Sequence, residues 1–179
     1  MGTDRRLLTP EDIYNIPAEL YPLPVLSDNV RNIFSAGIKA HSKGSYSHFM
    51  WLIAPGELAS MQMTGYKKRK LKSYLGNAIL KIILCSKWTE LDRKIVMDTI
   101  HCELSQPWYK KMYDFLAYPG QLIGIHKMQV PGFDICSDKA RYIKLVDPDY
   151  DLDYPDPVQV NEWFKNNSNY PEYGWYTPD

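Results

Sequence analysis

Apolar positions recur along this chain with two different periods. From Ser47 to Ala54 the run Ser-His-Phe-Met-Trp-Leu-Ile-Ala is apolar and aromatic, Pro55-Gly56 is a turn signal, and Glu57 to Met63 is a second extended stretch. That order predicts a β-hairpin. Asn77 to Ser86 predicts a third strand. Helical spacing appears at Leu91, Ile95, Met97 and Ile100, with Thr89 placed to cap a helix from about Glu90 to Leu104. Asp28 caps a predicted helix over about Asn29 to Ala40, whose Val30, Ile33, Phe34, Gly37 and Ile38 share one face. After Pro131-Gly132, the positions Ile135, Ala140, Ile143 and Val146 predict an amphipathic helix beginning near Cys136. Asp156-Pro157 is a cap and first turn for a last short helix, Val158 to Lys165.

The connecting segments are read from their breakers. Residues 1–27 carry Pro10, Pro17, Pro22 and Pro24 and predict an arm with one helical turn at Thr9 to Tyr14. His41 to Ser47 is a polar link, and Lys67-Lys-Arg-Lys reads as a solvated loop or helix face. Pro107 opens a helical turn through about Leu116, and Gln121 to His126 is a short strand. Asn166 to Asp179 lacks periodicity and reads as a surface tail. The fold class expected is α+β, with one domain over 28–165. Its small antiparallel sheet, from the Ser47 to Ser86 region and the Gln121 strand, packs on the Cys136 helix.

Composition narrows the function classes. The chain has 179 residues, 45% of them hydrophobic, which fills one core. Its 21 basic and 21 acidic side chains cancel, so overall charge gives no pull toward nucleic acid or an anionic membrane. The longest apolar stretches, Phe49 to Pro55 and Ala78 to Cys85, fall short of the roughly 20 residues of a membrane span. The first residues lack the pattern of an export signal, which suggests a cytoplasmic protein, or a virion-associated one if phage-encoded. No phosphate-loop, dinucleotide or zincin motif is present and no C-x-x-C pair starts a zinc site, so neither cofactor nor metal is expected.

Three cysteines remain, Cys85, Cys102 and Cys136, all expected as free thiols. A cysteine opening a helix gains thiolate character from unpaired backbone N–H groups and the helix dipole, and Cys136 holds that predicted position. Cys85 ends an apolar strand and Cys102 lies within a helix, where a buried, inert thiol is the ordinary outcome. A thiol nucleophile needs a base on a rigid element. His48, which opens the first hairpin strand, fits better than His41 in a link, His101 in a helix or His126 near a turn. Ser60 and Gln62, two apart on the second hairpin strand, point to one face, and either could hold the imidazole.

These residues carry a resemblance. Gly44-Ser-Tyr-Ser-His-Phe-Met-Trp-Leu-Ile-Ala-Pro-Gly-Glu-Leu-Ala-Ser is similar to the histidine strand, turn and next strand of circularly permuted NlpC/P60 papain-like proteins. Asp134-Ile-Cys136-Ser137-Asp138, about 90 residues on, resembles that family's Cys-Ser-Glu segment, and Lys70-Leu71-Lys-Ser-Tyr74-Leu75 is similar to its Pro-Leu-x-x-Tyr-Leu-like element. Histidine before cysteine is the permuted order. The resemblance implies a papain-like fold with Cys136 as nucleophile, His48 as base and the orienting group at Gln62 or Ser60, where many relatives carry a glutamate. It implies hydrolysis of an amide through a thioester, in a peptide substrate such as a peptidoglycan stem peptide. Acyl transfer of the lecithin:retinol acyltransferase-like type, for which the C-terminal Trp163, Tyr170, Tyr173, Trp175 and Tyr176 would supply a greasy surface, is the alternative within that chemistry. A catalytically silent virion or binding module is the alternative outside it.

Overall fold

The structure, a computed structural model, describes residues 6–29, 46–62, 64–107, 136–153 and 155–178. Six strands, β1 (Leu23–Asn29), β2 (His48–Ala54), β3 (Glu57–Gln62), β4 (Gly65–Lys70), β5 (Ala78–Ile83) and β6 (Glu172–Tyr176), form one antiparallel sheet in the order β4-β3-β2-β1-β5-β6. Among the described residues three α-helices accompany it, α1 (Pro10–Tyr14), α2 (Glu90–Ser105) and α3 (Pro157–Asn166), together with 3₁₀ helices at Ala18–Leu20, Leu71–Ser73 and Cys136–Leu145. The α+β class and the antiparallel sheet agree with expectation.

The hairpin is built as its residues dictate. Met50 pairs with Ser60 and Trp51 with Ala59, and Gly56 closes the turn at φ +70°, a conformation that costs glycine little. The Tyr14 ring fills the space a side chain at Gly56 would need, a Cβ there lying 2.4 Å from its Cε1. Reciprocal capping boxes start α2 at Thr89 and α3 at Asp156, both at the predicted caps. Asp156 accepts from the backbone N–H groups of Val158 and Gln159, each at 2.8 Å. Replacing it with alanine is expected to cost about 1 kcal/mol, read as a lower urea midpoint with an unchanged slope; no loss would mean that packing alone holds α3.

Four readings are corrected. Residues Leu23–Asn29 are not the end of an arm but an interior strand, and Asp28 lies within it rather than capping a helix. Pro24 is tolerated because the β5 ladder begins one residue later, at Val25, so no pairing on that side calls for its missing N–H. The basic run Lys67 to Lys70 belongs to edge strand β4, with all four side chains exposed. The expected tail supplies β6, and Tyr170 and Tyr176 are buried. Arg6 and Leu8 lie along β6, Leu8 N–H donating to Trp175 at 2.6 Å and Trp175 N–H to Arg6 at 2.9 Å. Only glycine admits that approach, since a Cβ on Gly174 would stand 2.7 Å from the Leu8 side chain. The rest of the predicted 29–40 helix, the link from His41, the turn after Pro107 and the Gln121 to His126 strand lie outside the described residues.

Strand alternation gives the sheet two apolar faces. Leu26, Phe49, Trp51, Ala59 and Met61 join Val96 and Ile100 of α2, Ala140 and Ile143 of the 3₁₀ helix, and Val160 and Phe164 of α3. Leu23, Val25, Met50, Leu52 and Leu58 on the other face pack with Ile13 and Ile16 from the N-terminal segment and with Leu71. Leu91 and Ile95, predicted for the buried stripe of α2, are 65% and 37% exposed. Among the described residues no helix is long and apolar enough to cross a membrane.

Candidate active site

His48 is the first residue of β2, directly across from Ser27 of β1, and its ring turns to the face of Met50 and Ser60. There Nε2 meets Ser60 Oγ at 2.8 Å. Ser60 is fully buried and is held in turn by Gln62, whose Nε2 donates to Ser60 Oγ at 2.9 Å and to the Tyr74 hydroxyl at 2.8 Å. Tyr74 and Ser60 oxygens lie 3.1 Å apart, which closes a ring of contacts. The two candidates for orienting His48 thus divide the contacts: Ser60 touches the imidazole and Gln62 holds Ser60. Ser27, buried beside this cluster, has a hydroxyl without a hydrogen-bond partner among the described residues.

Cys136 is the first described residue of a helix that runs to Leu145 and is 3₁₀ rather than α. The sulfur faces the backbone N–H of Phe49, the amide that joins it to His48, and the N–H groups of Ser137 and of Cys136 itself. Several contacts hold this helix against the sheet. Trp51 Nε1 donates to the Lys139 carbonyl at 2.9 Å, and its ring stacks on Tyr142 at 6.1 Å. The Lys139 ammonium pairs with Glu103 of α2 and lies 4.9 Å from the Tyr66 ring centre, while Ser137 Oγ donates to the Pro155 carbonyl.

Electrostatics set the resting protonation state. Desolvation lowers the His48 pKa to about 4. For Cys136 desolvation is again the largest cause, the Asp138 charge adds to it, and the facing N–H groups oppose both, leaving the thiol pushed up to about 11. Both groups are therefore neutral at pH 7. No hydrogen bond joins the imidazole to the sulfur among the described residues; the sulfur meets β2 at the Phe49 amide, next in sequence to His48. Cys136 and Tyr74 are close enough for the sulfur's charge to raise the Tyr74 pKa, behind desolvation and against the Ser60 bond.

Sequence reasoning named His48, Ser60, Gln62 and Cys136 and gave Tyr74 no role. Tyr74 follows a 3₁₀ turn, Leu71–Ser73, and reaches Ser60 only through the fold; its place in a short motif was the one available signal. Of the other thiols, Cys85 is buried and pushed up by desolvation, whereas Cys102, expected buried, is exposed. His101 is exposed on α2, and His41 and His126 lie outside the described residues. No protein-family model and no curated protein matches this chain.

Proposed function

We propose that this chain is a cysteine hydrolase of the permuted NlpC/P60, papain-like type that cleaves an amide bond, with a peptidoglycan stem peptide as the substrate class. The observation that carries the reading is the arrangement around one peptide unit. Cys136 is the first described residue of its helix, its sulfur lies near the Phe49 amide, and the neighbouring His48 is held through Nε2 by Ser60, which leaves Nδ1 as the ring atom for the chemistry. As Sγ attacks the carbonyl, the thiol proton passes to Nδ1, an S–C bond forms, and backbone N–H groups at the helix start hold the oxyanion. Collapse breaks the C–N bond and returns the proton from imidazolium to the leaving amine. Water, deprotonated by His48, then releases the acid and restores the thiol. Ser60 and Gln62 keep the ring in place through both steps.

A second reading, a silent binding module, is favoured by the burial that keeps thiol and imidazole neutral and unbonded to each other. The acyl-chain alternative has less greasy surface to draw on, because Tyr170 and Tyr176 are buried, while Trp163, Tyr173 and Trp175 remain partly exposed. Mass spectrometry on protein mixed with stem peptides and, separately, with short-chain thioesters separates these readings. A peptide-derived acyl group on Cys136, absent from Cys136→Ala, is expected. Adducts from the thioester alone would point to acyl transfer, and no adduct from either would leave the binding module.

A further inference from the structure

The cluster around Ser60 can be ordered by counting its hydrogens. Gln62 Nε2 donates to both hydroxyls, filling one lone pair on Ser60 Oγ and one on the Tyr74 oxygen. Ser60 is left with one hydrogen and one lone pair for two neighbours, His48 Nε2 at 2.8 Å and Tyr74 at 3.1 Å. Two orders follow. If Tyr74 donates to Ser60, Ser60 must donate to Nε2, which puts the imidazole proton on Nδ1 and disables that atom as a base. If Ser60 accepts from Nε2–H, its own hydrogen must go to the Tyr74 oxygen, and Nδ1 is then free. An imidazolium, which donates from both nitrogens, permits only the second order.

We propose that Tyr74 is a positioning residue whose oxygen, by accepting the Ser60 hydrogen, allows Ser60 to accept from His48 and so sets the imidazole as the Nε2–H tautomer. Its consequence for catalysis rests on the reading of Cys136 and His48 as nucleophile and base. Among the described residues Ser60 Oγ has no other side-chain partner than His48, Gln62 and Tyr74, so removal of the Tyr74 oxygen leaves Nε2 as the acceptor for its hydrogen. The Tyr74 hydrogen is displaced from the ring in the Nε2–H order, on the side chain that senses the charge of Cys136. A reversed Gln62 amide is the competing order: its oxygen would take both hydroxyl hydrogens and make Tyr74 dispensable.

The test is the ring ¹⁵N spectrum of His48 at pH 7 in the parent, Tyr74→Phe, Ser60→Ala and the double variant, with stem-peptide cleavage measured alongside. The parent should show a protonated Nε2 and a bare Nδ1. Tyr74→Phe should move the proton toward Nδ1 and lower kcat about tenfold with KM unchanged, and it should do nothing further once Ser60 is alanine. Gln62→Glu, whose carboxylate accepts the Ser60 hydrogen in place of the missing Tyr74 oxygen, should restore the parent tautomer in Tyr74→Phe. That rescue, together with an unchanged fold by circular dichroism, separates a tautomer effect from a structural one. An unchanged tautomer in Tyr74→Phe overturns the role of Tyr74 and leaves the hydrolase standing. The expected tautomer shift with no cleavage in the parent upholds the role and overturns the hydrolase.

Discussion

Stem-peptide cleavage is expected to run at a kcat/KM that stays flat from about pH 4 to about pH 11 and to fall outside that window, the limits being the shifted imidazole and thiol. The sign follows from the proton count. The reacting form carries one proton shared between sulfur and imidazole, and the leaving amine needs that proton. Below the lowered His48 pKa the ring is already charged and cannot take it, so the rate drops tenfold per pH unit. Above the raised Cys136 pKa the proton has gone to solvent, and the rate drops again. Iodoacetamide needs only the thiolate, so alkylation of Cys136 should instead climb tenfold per unit toward about pH 11. Measurement in a Cys102→Ser background removes the exposed thiol from the signal. His48→Ala should lower kcat by about 10²–10⁴, the usual worth of a general base, while leaving the alkylation profile nearly unchanged. An acid limb near pH 6.5 would show a solvated His48, and alkylation that is fast and flat at neutral pH would show an ion pair already formed at rest.

Trp51→Ala should cost about 3–5 kcal/mol, the range for deleting a fully buried aromatic ring, and should cost cleavage before it costs the fold. Trp51 stands mid-strand in β2, edge-on to Phe49 at 5.4 Å, tilted toward Trp88 at 6.2 Å and stacked on Tyr142 of the Cys136 helix. Its Nε1–H also donates to the Lys139 carbonyl, one turn beyond Cys136. The alanine variant therefore opens a cavity beneath the helix and removes the indole hydrogen bond to the Lys139 carbonyl. Trp51→Phe separates the two effects: most of the ring area stays, and the lost hydrogen bond should account for about 1–3 kcal/mol. Urea unfolding gives the stabilities. Equal losses in both variants would mean that the hydrogen bond, not the ring, anchors the helix.

Local chemistry was legible wherever a residue acts on its near neighbours. Thr89 and Asp156 cap their helices and Pro55-Gly56 turns the hairpin because each needs only residues within a few positions. What the sequence hid depends on distant partners. Pro22 and Pro24 are breakers in isolation, and only the offset between the β2 and β5 ladders makes room for Pro24 in an interior strand. β6 is five residues long with a glycine at its centre, too short and too irregular to show a period, and it is paired because β5 and the Arg6 to Leu8 segment flank it. The candidate site divides the same way. His48, Ser60 and Gln62 share a hairpin and so a predictable face, whereas Tyr74 joins them from a turn whose position only the folded chain defines.

The two ends of the sheet also bear on how copies of this chain behave toward one another. A sheet border exposes a row of backbone donors and acceptors onto which any extended chain can stack, and repeated stacking of that kind is how fibrils grow. Among the described strands one border is β4, where four consecutive cationic side chains face water and a second copy would bring its own four against them. The other is β6, which the Arg6 to Leu8 segment of the same chain already occupies. Charge protects the first border and a tethered segment the second, and the tether is the weaker guard, because an identical segment from a neighbour would fit the same place. Exchange of N-terminal segments between molecules is thus the form of self-association this sheet leaves open.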